Sequence, residues 1–422
     1  MGVAVGRRTS RIDREYHLLQ AIALLVVLAA IAGIAAFTLR GARERELQDA
    51  LAPFYTPPDP LPPGPPGELI RWEPIDPAPA GALAWRILYH SEDLAGNDVA
   101  VSGMVFAPTG LAPEGGRPVV AWAHPTSGMA DECAPSRQAA PGSELSWLPA
   151  MLANGWVVVA TDYYGLGTPG TLPYLIGPSA ANDVINSVRA ARQLPGAGAG
   201  ATFATWGHSE GGHASLWVGV RAPTSAPDLT LVGISAAAPA AELVELISAQ
   251  WQTLSSQVIG PYVAAAWPAW YPQLDAGDIL TPDGLRALPT LASQCLIPLA
   301  LDALARTGLN EPLFSQDPVD VPAWAAAAAA NTPGPPPATV PVFIAQGTAD
   351  DVVLPETTSL LIAGFCEAGI DVSADWMTGV GHTGAADAAG AAAVAWLADR
   401  FEGGASDATA RTTSCGPAQP QG

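Results

Sequence analysis

The stretch Thr205–Ser215 reads TWGHSEGGHAS and carries two overlapping constellations. His208, Glu210 and His213 spell H-x-E-x-x-H, which looks like a stretched zinc-protease helix. Gly207, Ser209 and Gly211 spell G-x-S-x-G, a serine nucleophile on a strand-to-helix turn. A metal helix needs its histidines at i and i+4, on one face. Here they stand at i and i+5, which turns the second ring away by about 140° at 100° per residue. The preceding FATW also has strand character, so His208 would not be helical. No metal site is expected. The serine reading fits its flanks: an apolar strand enters, small residues let the backbone bend, and HASLWVGV continues as a helix.

A serine hydroxyl needs a base, and the base needs an orienting acid. Of six histidines in the chain, only His382 lies downstream of the next acidic turn, in the glycine-rich GVGHTGAA. That turn comes after the apolar run VPVFIAQG and presents Asp350 and Asp351. The alternative for an acid here is a cap on the segment after Leu354. The oxyanion formed in acyl transfer requires two N–H donors. One is expected from the backbone of Glu210, with a catalytic carboxylate role for its side chain as the alternative. The other should come from the loop AHPTSGM; Pro125 has no N–H, leaving Thr126 or His124. His208 and His213 are expected to pack or hydrogen-bond around the turn.

These residues need a scaffold. LAWRILYH (Leu83–His90) and VAVSGMVFA (Val99–Ala107) flank the turn-rich DLAGND, as in an antiparallel hairpin. PVVAWAH, WVVVATD, FATWGHS, LTLVGIS and VPVFIAQG are short, continuously apolar runs separated by segments of helical composition such as Ser179–Leu194. That alternation indicates a parallel sheet buried on both faces. DVSADWMT (Asp371–Thr378) is the last strand expected, and Ala388–Phe401 the closing helix. About a hundred residues between LTLVGIS and VPVFIAQG are too many for a loop. There, Leu243, Ile247, Trp251, Leu254 and Val258 recur at helical spacing on one face. The fold class expected is α/β: a mostly parallel sheet with an inserted helical cap. The divisions expected are 1–46 (cytoplasmic stub and membrane segment), 47–67 (proline-rich linker), 68–238 (core, first part), 239–337 (cap) and 338–422 (core, second part, with a tail).

Ala21–Leu39 is uncharged for 19 residues, long enough for a bilayer core of about 30 Å. Arginines flank it on both sides. It is expected to anchor the chain to a membrane or to be cleaved as a signal, and either outcome exports the body of the chain beyond it. PFYTPPDPLPPGPPG (Pro53–Gly67) reads as an extended spacer. The net charge is −21 and all 18 basic residues are Arg, so binding to nucleic acid has little electrostatic support. Four cysteines in an exported chain suggest two disulfides, in any of three pairings.

Taken jointly, AHPTSG…CAPS, TDYYGLGTPG, RAARQLP, GHSEGGH, GTADDVV and GVGHTG resemble the lipase A-like secretory lipase family of α/β-hydrolases, over roughly residues 53–415. The resemblance implies an α/β-hydrolase fold with a helical lid inserted before the catalytic acid. It implies cofactor-free hydrolysis of carboxylic esters, often triacylglycerols. The family pattern G-x-x-D-x-x-V selects Asp350 over Asp351, so the implied triad is Ser209, Asp350 and His382. It also implies the disulfides Cys133–Cys295 and Cys366–Cys415. A peptidase or acyltransferase could use the same triad, and a membrane-tethered binding protein could keep the fold without the activity.

Overall fold

The computed structural model describes Tyr16, residues 41–403 and Cys415. The chain divides into two compact units, Met1–Pro53 and Phe54–Gly422. The described part of the first unit is Tyr16 and the helical residues 41–53, in a helix (α1, 41–55) that ends in the second unit. Among the described residues no helix is long and apolar enough to cross a membrane; Ala21–Leu39, the expected membrane segment, lies outside them. In the proline-rich stretch Pro53–Tyr55 close α1, and from Thr56 the chain has neither helix nor strand until the sheet begins.

The second unit is built on a nine-stranded sheet in the order β1-β2-β3-β5-β4-β6-β7-β8-β9. The hairpin pairs β2 (Ala82–Glu92) with β3 (Asp98–Pro108). Its turn is held by the Asp93 carboxylate, which accepts the N–H groups of Ala95 and Asn97 at 2.8 and 2.9 Å. β4 (Arg117–Ala123), β5 (Val157–Thr161), β6 (Ala199–His208), β7 (Thr230–Ala237), β8 (Val342–Gly347) and β9 (Val372–Met377) pair in parallel. β3 joins β5 antiparallel, so the antiparallel part is confined to one edge. The edge strand β1 (Leu69–Pro74) has no counterpart in the sequence reading. It is half exposed and ends in proline, so its strand character comes from pairing with β2 rather than from its own pattern.

The central strands are mostly apolar because both faces are covered. Between β3 and β6 come α2 (Leu148–Ala153) and α3 (Gly177–Ala191). α4 (Glu210–Ser225) follows β6 directly. Ile234, Val342 and Ile344 share a core with Leu216 of α4 and with Leu361 of a later helix, Pro355–Glu367. On the other face Trp396, in the closing helix Ala385–Phe401, packs against Phe343 with ring centroids 5.9 Å apart.

Five helices lie between β7 and β8: α5 (Leu243–Gln250), α6 (Leu254–Trp270), α7 (Pro282–Ala292), α8 (Leu296–Gly308) and α9 (Pro322–Ala330). The closing helices are then α10 (Pro355–Glu367) and α11 (Ala385–Phe401). The periodic stripe from Leu243 to Val258 is one apolar face carried by two helices, because the first helix ends at Gln250 and the second starts at Leu254. The insertion has its own aromatic core, where Trp267 stacks on Trp324 at 5.9 Å. Both disulfides implied by the family resemblance are formed, Cys133–Cys295 and Cys366–Cys415. The first joins the loop after β4 to the start of α8, where Leu296 N–H also donates to Ser127 O at 2.8 Å.

Candidate active site

β6 runs parallel to β4 and hands the chain to α4 in a single residue. That residue is Ser209, at φ +56° and ψ −116°, backbone that a non-glycine residue enters only under strain. The turn is held from both sides. Ser209 N–H donates to Ala237 O at 2.9 Å, and Ser209 O accepts from His213 and Ala240 at 3.0 and 3.2 Å. The flanking glycines are there for clearance. A Cβ on Gly207 would lie 2.1 Å from Gly211 O, and one on Gly211 would lie 1.8 Å from Ala123 O.

The hydroxyl at this turn meets the two residues expected downstream. Ser209 Oγ lies 2.9 Å from His382 Nε2, and His382 Nδ1 lies 2.8 Å from Asp350 Oδ2. Asp350 is buried and its carboxylate is saturated. Oδ1 accepts the N–H groups of Val352 and Val353 at 2.9 Å each, and Oδ2 also accepts Gln346 Nε2 at 3.2 Å. Asp350 therefore shapes its own turn as well as facing His382. Its neighbour Asp351 is exposed; its backbone carbonyl accepts Gln250 Nε2 of α5 at 2.8 Å. With Asp350 holding Nδ1–H, Nε2 is the nitrogen free to accept the serine proton.

The zinc-like histidines diverge. His208 Nε2–H donates to His382 O at 3.0 Å, with the two rings 4.9 Å apart. Burial, and then the nearby His382, push His208 down to about 3. His213 Nε2–H donates to Asn331 O at 2.7 Å, in the insertion, and burial pushes it down to about 4. Both stay neutral and act as struts, one behind His382 and one between α4 and the end of α9.

Glu210 opens α4. Among the described residues neither its backbone N–H nor that of Thr126 has an acceptor, which leaves both free for a developing anion. The Glu210 side chain is buried beside them. Its Oε2 accepts the Thr126 hydroxyl at 2.9 Å, and burial raises the carboxyl to about 8. His124, the other residue considered for this loop, turns inward: its Nδ1 lies 2.6 Å from Pro125 O. A cavity of about 490 Å³ opens over Ser209, Glu210, Thr126 and His382. All five stripe residues, Leu243, Ile247, Trp251, Leu254 and Val258, line it, together with Leu296 and Ala300 of α8.

Three supporting residues escaped the sequence reading. Gln346 steadies Asp350 and itself accepts the Thr358 hydroxyl at 2.6 Å; a lone polar residue ending the apolar run VFIAQG was the available signal. Gln250 ties α5 to the acid turn. Tyr174, whose hydroxyl sits 2.7 Å from Thr126 Oγ1, carried no signal at all.

A doubly covered, mostly parallel sheet with a strained serine turn and a helical insertion defines an α/β-hydrolase. The chain belongs to the secretory lipase family, whose sequence model matches residues 135–312 and 330–408, more than half of its length. It is 31% identical over 207 residues to a "Probable inactive lipase" of Mycobacterium tuberculosis, an alignment covering 45% of this chain and 46% of that protein. The chain thus spans about half the length of that relative. It is 25% identical over 412 residues to a "Secreted triacylglycerol lipase" of Malassezia globosa, covering 90% of this chain and 84% of that one. In fold it is similar to the rice cell wall degrading esterase LipA of Xanthomonas oryzae, in a ligand-bound form. The TM-score is 0.64 at 18% identity, over 80% of this chain and 98% of that one.

Proposed function

We propose that this chain is an exported serine ester hydrolase, of the lipase or carboxylesterase type, that works through an acyl-enzyme on Ser209. The observation that carries this reading is the hydrogen-bonded series Ser209–His382–Asp350 at the base of an apolar cavity. His382 Nε2 takes the Ser209 proton as Oγ attacks the ester carbonyl carbon. The negative oxygen is met by the Glu210 N–H and by Thr126, each N–H free in the resting site. His382 returns the proton to the departing alcohol. A water, deprotonated by the same nitrogen, then releases the acid and restores Ser209. Asp350 keeps His382 in the working tautomer throughout. Within the lid domain (239–337), the α5–α6 face and α8 line the cavity, and their apolar lining accommodates the acyl chain and excludes water. No cofactor enters this scheme.

Family membership and the "secreted" relative support export, with Ala21–Leu39 as an anchor or a cleaved signal; the mass of the mature protein separates the two. The "inactive" description of the Mycobacterium tuberculosis relative is the specific reason to weigh a non-catalytic binding role. A fluorophosphonate probe decides between them. Wild-type protein that labels, with label lost in Ser209→Ala, supports the acyl-enzyme reading. Absence of label, or label that survives the substitution, overturns it. Rates on p-nitrophenyl esters beside an aminopeptidase substrate separate ester from amide chemistry.

A further inference from the structure

One buried carboxyl beside Ser209 has no part in the acyl transfer described for the triad. Glu210 is only 6% exposed, and its Oε2 accepts the Thr126 hydroxyl at 2.9 Å. With the Thr126 hydroxyl donating to Oε2, the Tyr174 hydroxyl donates to Thr126 Oγ1, 2.7 Å away, and the proton of the neutral acid sits on Oε1, toward the cavity. The series Tyr174, Thr126, Glu210 thus crosses from the segment before α3, over the oxyanion loop, to the serine turn. Among the described residues Oε1 of Glu210 has no partner, and no Arg pairs with the carboxyl; the residue faces the cavity.

The surroundings offer Glu210 no resident positive charge. Tyr163, after β5, Tyr174, and Tyr262 of α6 are phenols that burial raises. His124, earlier on the loop, is lowered by burial, with Asp162 behind it. On the serine side stand neutral His208, and His382 backed by Asp350. Burial accordingly raises Glu210 to about 8.

The two free N–H donors belong to two different segments, and their spacing decides whether an oxyanion is gripped. Glu210 supplies one donor from its backbone and holds the residue carrying the other with its side chain. A carboxylate could also accept the Thr126 hydroxyl. It would, however, set a full negative charge against the developing oxyanion in a water-poor site. We propose that Glu210 is a positioning residue that works as the neutral acid: it ties the Thr126 loop to the serine turn without adding charge, and its ionisation shuts the site. This rests on the acyl-enzyme reading.

The test is the pH dependence of kcat on a soluble short-chain ester, with fluorophosphonate labelling of the same samples. In the wild type kcat should fall about tenfold per pH unit above about pH 8. Glu210→Gln should be about three- to tenfold slower at neutral pH but show no alkaline fall, whereas Glu210→Ala should lose about a hundredfold. Thr126→Val, which keeps the N–H and removes the hydroxyl, should lower kcat about tenfold at unchanged KM. A wild-type profile flat to about pH 10, or the same fall in Glu210→Gln, overturns the inference while labelled, active enzyme leaves the acyl-enzyme reading intact. Should Glu210→Gln not fold, unchanged kcat in Thr126→Val overturns it instead. Protein that neither labels nor hydrolyses defeats both readings.

Discussion

At the scale of residues, the proposed chemistry depends on which nitrogen of His382 carries the proton. The Asp350 carboxylate decides that, since its oxygens accept only and one of them faces Nδ1. Asp350→Asn would present an N–H to Nδ1 and favour the wrong tautomer. The expected result is a kcat lower by about 10³–10⁴ with KM little changed, read from steady-state kinetics. Glu210 supports a separate prediction about stability. Its carboxyl is raised from 4.5 to about 8 on folding, so the unfolded chain releases this proton first as pH rises. The native state loses stability progressively between about pH 4.5 and 8 and no further above, at about 1.4 kcal/mol per unit of pKa difference. Glu210→Gln removes this loss. Its melting temperature should match the wild type near pH 4 and exceed it at pH 9; an equal difference at both would exclude ionisation as the cause.

At the scale of elements, the loop after β4 and the insertion are one mechanical unit. Cys133–Cys295 and the Leu296-to-Ser127 hydrogen bond hold the start of α8 against residues that come directly after Thr126. The bridge closes a 162-residue separation, for which the chain-entropy model gives about 5 kcal/mol. The double substitution Cys133→Ser/Cys295→Ser should cost about 3–5 kcal/mol in denaturant unfolding. It should also lower kcat at temperatures where the protein remains folded, because the loop carrying Thr126, the proposed second donor, loses its brace. Loss of stability with full kcat would show that the bridge serves the fold alone. The cavity belongs to this scale too. Ala300 of α8 lines it, so Ala300→Phe fills part of the cavity from the α8 side. It should cut kcat/KM on a medium-chain ester about tenfold or more while sparing an acetate ester. Equal losses on both would place the acyl chain elsewhere.

At the scale of the whole molecule, the sheet brings together residues 141 and 173 positions apart from Ser209 because β6 and β8 are both interior strands of its parallel part, separated by β7 alone. Their carboxyl ends, and the loop after β9, open on the same edge. The helices between β7 and β8 then roof that edge. The net charge of −21 gives the chain a predominantly acidic, mutually repelling charge balance.

Much of this arrangement was readable from residues alone. Continuous apolar runs announced doubly covered strands, and G-x-S-x-G between strand and helix announced the turn. The order of Ser209, an acidic turn and a single downstream His382 narrowed the partners to two carboxylates. These signals are local, and local sterics and burial write them into adjacent residues. What spacing could not settle was long-range. Asp350 rather than Asp351 faces His382 because the turn after β8 folds its second carboxylate outward. β1 exists because β2 offers it an edge. The stripe from Leu243 to Val258 looked like one helix, and tertiary packing breaks it into two while keeping its apolar face on the cavity. Glu210 shows the same division within a single residue. Its position after Ser209 was enough to assign the backbone N–H. The state of its side chain depends on Thr126 and Tyr174, brought from 84 residues away and, through Thr126, from 48 residues further along the chain, and on the exclusion of water around all three.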